Sequence, residues 1–181
     1  MSENRVYEDF MLDSETLGLV PGSIILSVAI VPVFKDIEPL YVKIGVSQSM
    51  ECGFTQQEST VKWWESQPEH LKTETFSGTM HPRDACIEIA SYLSAQCDKK
   101  DLKIWAKGVG FDFPILAAYF HKFDMEVPWH YRSPMCYRTI KDVFEYIEEP
   151  AFVGTPHSAL ADATHQARHL KMMFTNLWGW D

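Results

Sequence analysis

The chain has 181 residues, 46% of them hydrophobic and 23% charged, which suits one globular domain spanning 1–181 with a full core. Its 25 acidic residues outnumber 16 basic ones, for a net charge of −9. That balance argues against a sequence-independent nucleic-acid coat, whose affinity comes from neutralising many phosphates.

In chain order, 6–12 reads as a short apolar strand, and Thr16 to Gly22 supplies the turn after it. Residues 24–33 are rich in β-branched side chains, as in a buried strand, and 40–46 alternates like a third. Short connections make these three an antiparallel meander. A short helix carries Trp63 and Trp64 and ends near Pro68; another starts at Pro82 and presents Ala85, Ile89, Tyr92 and Leu93 on one face. Strand 102–106 follows, then a helix from Pro114 to Phe120. A final short strand is expected at 135–136, a helix over 141–147 and a last helix over 159–174. The expected fold is α/β, a mixed sheet flanked by helices.

No basic and apolar leader opens the sequence, and the most apolar stretch, 24–34, is too short to span a bilayer. The expectation is a soluble, cytoplasmic protein without a membrane partner. Cys52, Cys86, Cys97 and Cys136 include no CxxC pair, so they read as reduced thiols, with Cys86 in a helix core. His165 and His169, four apart on the last helix, lack a third ligand and read as solvent-facing. Trp178 and Trp180 suit packing or a subunit contact.

The chemistry concentrates in three segments. Asp13 and Glu15 are two apart, so on a strand they point the same way. Asp112 lies between a strand and a helix, where an α/β sheet presents ligands at its carboxyl edge. Asp162 falls in the first turns of the last helix, with His157 just before it on a loop. Each acid is embedded in apolar sequence, where an unpaired charge is costly. Each also has a plain reading, as a surface group, a helix cap or a partner of the helix dipole. Carboxylates gathered together repel unless cations neutralise them, and oxygen ligands favour magnesium or manganese.

The ordered set Asp-x-Glu, Phe-Asp and His-x4-Asp resembles the DEDDh group of 3′–5′ exonucleases in the RNase H-like superfamily. Trp63-Trp64 and the segment Gly110 to Leu116 are more narrowly similar to the phage exonuclease A type and its bacterial exoribonuclease relatives. The resemblance covers about residues 6 to 175. It implies an RNase H-like sheet of five strands, the first three antiparallel and the rest parallel. It also implies two divalent ions, Mg2+ or Mn2+, held by Asp13, Glu15, Asp112 and Asp162, with His157 as general base. The substrate would be a single-stranded DNA or RNA 3′ end, released stepwise as nucleoside 5′-monophosphates; a non-catalytic binding module is the other reading of the fold. Substrate contacts are expected from Ser14, Leu17, Gly18, Trp64, Phe111 and Arg138, and less so from Trp63. The narrower family makes a homodimer a further expectation. Many members carry Asn-x-x-Phe-Asp before the second acid, whereas this chain has Lys107-Gly108-Val109-Gly110-Phe111-Asp112.

Overall fold

Ile25–Pro32 is apolar on both faces, so a strand there must be covered on both sides. A computed structural model describes residues 8–178, apart from the side chain of Trp178, and places this strand inside a five-stranded sheet. Trp180 and the Trp178 side chain, expected at a contact, lie outside the described residues.

The strands are β1 (Glu8–Thr16), β2 (Ile25–Pro32), β3 (Leu40–Lys43), β4 (Leu102–Ala106) and β5 (Pro134–Cys136), in the sheet order β3-β2-β1-β4-β5. The pairs β1–β2 and β2–β3 are antiparallel; β1–β4 and β4–β5 are parallel. The expected mixed topology is the observed one.

Alternation along β1 divides two cores. Phe10 and Leu12 pack with α4 (Pro82–Ser94) and α5 (Asp112–Lys122) on one face. Met11, Ala29, Val31 and Trp105 pack with α7 (Ala159–Trp178) on the other. Ala159, Ala163 and Ala167 form the small stripe that brings α7 close to the sheet.

Several boundaries differ from expectation. β1 runs on through Asp13 and Glu15, because Asp13 pairs with Ala29 and Glu15 with Ser27 on β2. Partner pairing overrides the poor strand preference of Asp-Ser-Glu. The third strand is shorter than 40–46 and gives way to α1 (Val46–Glu51). After α2 (Glu58–Glu65), Pro68 ends one helix, as expected, but also caps another, α3 (Glu69–Thr75), which the pattern did not signal. The helix expected over 141–147 is α6 (Tyr137–Val143). It is displaced because buried Tyr137 anchors its start, sharing a 2.8 Å hydrogen bond with His169 Nδ1.

That bond corrects the reading of the two histidines. His169 is only 1% exposed, and its Nε2 lies 2.9 Å from the Ile147 carbonyl. His165 is largely covered and pairs with Glu149. The four cysteines are free, and Cys86 is buried in the face of α4. No described helix is long and apolar enough to cross a membrane.

Candidate active site at the carboxyl end of the first strand

Met11, Asp13 and Glu15 share one face of β1, and Met11 packs in the core beneath α7. The next two residues of that row are therefore carried to the sheet edge under the start of α7. There Asp13, Glu15 and Asp162 offer carboxylate oxygens that all lie within 4.8 Å of one another. Gln166, one turn beyond Asp162, donates from Nε2 to Asp13 Oδ1 at 3.0 Å. Its Oε1 is buried without a hydrogen-bond partner.

Asp112 approaches from the opposite face. It is the first residue of α5, two residues before the expected start at Pro114, and is 4% exposed. Ser14, pointing away from Asp13 on the same strand, donates its hydroxyl to Asp112 Oδ1 at 2.6 Å. Asp112 thus stands beside the trio, close enough to raise the pKa of Asp13, but outside the tight group of three.

The electrostatics follow from burial and crowding. Burial lifts the Glu15 carboxyl to about 9, and the charges of Asp13, Asp162 and Asp112 push the same way. Asp13 is raised well above the ordinary carboxylate range, first by burial and then by Asp112 and Asp162. Burial takes Asp112 up to about 6 against the opposing bond from Ser14. Asp162 is also raised by burial, opposed by the His157 backbone N–H. No Lys or Arg forms an ion pair with these four acids among the described residues. The charge of Lys107 draws Asp13 and Asp162 down without reaching ion-pair distance, and His157 acts on Asp162 in the same direction.

The donor set is all oxygen, largely buried and short of neutralising charge, which fits a hard divalent cation and does not fit zinc-type nitrogen or sulfur ligation.

His157 occupies an exposed loop before α7 with φ +64. Its backbone N–H donates to Asp162 Oδ2 at 2.7 Å, so histidine and acid are joined through the main chain while the residue stays exposed. The ring meets Trp63 edge to face, with centroids 5.0 Å apart.

The expected substrate residues divide. Trp64 is 2% exposed and donates from Nε1 to the Thr16 carbonyl at 2.9 Å. It packs in the core, and the exposed member of the pair is Trp63 at 40%. Helical geometry turns adjacent residues about a quarter-circle apart, so only one of the two can face the core. Leu17 is buried yet lines a groove of about 420 Å³ with Val61, Trp64 and Phe76. Gly18 sits where a Cβ would come within 2.4 Å of Ser23 Oγ, so a side chain there would have to displace Ser23. Phe111 is half-buried against the core and directly precedes α5. The Arg138 guanidinium donates to the Lys107 carbonyl at 3.1 Å. Sequence reasoning missed Gln166 and Lys107; the first was visible as the residue four beyond Asp162, the second only through strand register.

Comparison with known proteins agrees with this architecture. Exonuclease I in a product-bound form is 14% identical with a TM-score of 0.62, over 94% of this chain and 43% of that one. The chain therefore spans less than half the length of exonuclease I. The nuclease domain of 3′hExo, a DEDDh family member bound to rAMP, is 9% identical with a TM-score of 0.65, covering 99% of this chain and 98% of that one. Pop2p of S. pombe, in a form with Mg2+ and Mn2+, is 11% identical with a TM-score of 0.65, over 97% and 86% of the two chains. At such identities the likeness establishes the fold. Among curated proteins none matches. The family model described as the 3′–5′ exoribonuclease Rv2179c-like domain matches residues 8–174, and the chain belongs to that family.

Proposed function

We propose that the protein is a metal-dependent exonuclease that removes nucleotides from the 3′ end of single-stranded nucleic acid, with RNA as the preferred polymer. The observation that carries this reading is the grouping of Asp13, Glu15 and Asp162 within 4.8 Å, tied through the Asp162 carboxylate to His157. The family description, which specifies an exoribonuclease, supports RNA over DNA.

Asp13, Glu15, Asp162 and the adjacent Asp112 would hold Mg2+ or Mn2+. Such ions supply charge to a scissile phosphate and make a bound water more acidic. The chain's own residues do the rest. Gln166 fixes the Asp13 carboxylate, and Ser14 fixes that of Asp112. His157 accepts the proton of the attacking water, a role that an accessible imidazole can fill. Water adds to phosphorus, the P–O3′ bond breaks, the 3′-oxygen left on the shortened strand takes up a proton to become its new terminal hydroxyl, and a nucleoside 5′-monophosphate departs. Leu17 and the groove beside Trp64 and Phe76 would receive the terminal base, with Gly18 allowing close approach of the backbone. The exposed face of Trp63 is available for stacking, a contact worth roughly 1–3 kcal/mol per base.

The test is mononucleotide release from matched RNA and DNA oligomers, labelled at either end, in Mg2+ or Mn2+ and in EDTA. Stepwise loss from the 3′ end that EDTA abolishes is expected, faster on RNA. Release that continues undiminished in EDTA refutes the assignment, and faster cleavage of DNA refutes the polymer preference.

A further inference from the structure

β1 and β4 run parallel in a register that pairs Phe10 with Ile104 and Met11 with Trp105. Extending that register by two residues places Lys107 beside Asp13. Met11 and Trp105 both pack in the core beneath α7, so alternation directs Asp13 and Lys107 to that same face. Lys107 is the first residue after β4, and its side chain is exposed.

Its main chain is held in place. Arg138 donates to the Lys107 carbonyl at 3.1 Å, and Gly108 follows with φ +127, a conformation that side chains rarely adopt. The guanidinium lies across that glycine, 3.9 Å from where a Cβ would stand. The turn therefore leaves the strand at a defined angle and aims the lysine along the acid cluster. Among the described residues its ammonium makes no ion pair, and no other lysine or arginine forms one with the four nearby acids.

A lysine locked onto one of these carboxylates would compete with a divalent ion for the same oxygens. One that stands off leaves the oxygens free and keeps its own charge available. Its three donors and flexible stem suit a phosphate oxygen rather than a planar base edge.

Building on the nuclease reading above, we infer that Lys107 is a substrate-contacting residue that grips a backbone phosphate of the 3′-terminal nucleotides, while Arg138, expected from the sequence to make such a contact, positions the turn behind it. The ligand class is the phosphodiester backbone, independent of base.

The experiment measures binding of a fluorescent single-stranded oligoribonucleotide by anisotropy against salt concentration. It uses the His157→Ala protein with Ca2+ to keep the oligomer intact, with and without Lys107→Ala, Lys107→Gln or Lys107→Arg. For single strands each phosphate contact contributes about 0.7 to the slope of log affinity against log salt. Lys107→Ala and Lys107→Gln are expected to lower the slope by about that amount and to weaken binding about fivefold in low salt; Lys107→Arg is expected to keep the slope. An unchanged slope in Lys107→Ala overturns the inference, whether or not affinity falls, because a lysine that only balances the acids releases no counterion from substrate. If the parent protein binds no oligomer at all, the nuclease reading falls together with this one.

Discussion

The Ser14 hydroxyl donates to Asp112 Oδ1 across 2.6 Å, joining the strand that carries Asp13 and Glu15 to the first residue of α5. One strand thus serves both sides of the sheet. Its odd-numbered acids turn towards α7, and the serine between them turns towards α5 and steadies the fourth acid.

Removing that hydroxyl leaves a buried carboxylate short of a donor. Ser14→Ala is expected to raise the Asp112 pKa further above about 6, because the lost bond favours the ionised form. Folding stability should fall by about 1–3 kcal/mol where Asp112 is ionised. NMR titration of the Asp112 carboxyl, with urea unfolding at fixed pH, measures both. An unshifted titration would show that the bond has no part in holding the anion.

The acid cluster links stability to pH in a direction opposite to that of ordinary ion-paired carboxylates. Glu15 is raised from 4.5 to about 9 and Asp112 from 3.8 to about 6. Between those values the folded protein holds protons that the unfolded chain has released, so the contribution is fully present below the unfolded pKa and disappears as pH rises through the folded one. In EDTA the melting temperature should therefore decline as pH rises towards 9. Mn2+ bound there would displace those protons, and its stabilising effect should grow over the same range. A Mn2+ effect that is the same at pH 6 and pH 9 would contradict the coupling.

The adjacent tryptophans should respond differently to truncation. Trp64 is buried and hydrogen-bonded, so Trp64→Ala is expected to cost about 3–5 kcal/mol of stability. Trp63→Ala should cost under about 1 kcal/mol, since that ring is only partly covered. Its edge-to-face contact with His157 predicts instead a kcat lower by about tenfold, as the base loses a wall that orients it. Thermal melts and single-turnover rates of the two variants separate the roles. Equal destabilisation would remove the distinction.

His157 itself should be separable from the cation site. Its ring projects from the loop, and only its backbone N–H touches Asp162. His157→Ala is expected to lower kcat by about 10²–10⁴-fold with little change in Mn2+ affinity. An unaltered rate would remove it as the base.

Much of this arrangement was legible in the residues. The apolar run before Asp13, the β-branched second strand and the apolar row of the last helix fixed the sheet's meander and the element that covers it. The acids could be read as a group because the ordered set Asp-x-Glu, Phe-Asp and His-x4-Asp resembles that of the DEDDh group. What escaped was set by distant partners. β1 runs to Thr16, past the apolar run that ends at Leu12, because β2 pairs alongside it. Trp64 rather than Trp63 is buried because the Thr16 carbonyl accepts its indole N–H, forty-eight positions away in the chain. His169 is internal because Tyr137 and the Ile147 carbonyl meet it. Lys107 follows β4, whose parallel register with β1 no local pattern encodes.

Calorimetric titration of Mn2+ into the metal-free protein tests the central claim most directly, with Asp13→Asn and Asp162→Asn as comparisons. Saturable binding that either substitution weakens by at least about tenfold is the predicted result. Absence of binding to the unsubstituted protein, or binding indifferent to both substitutions, would contradict a cation site built from β1 and α7.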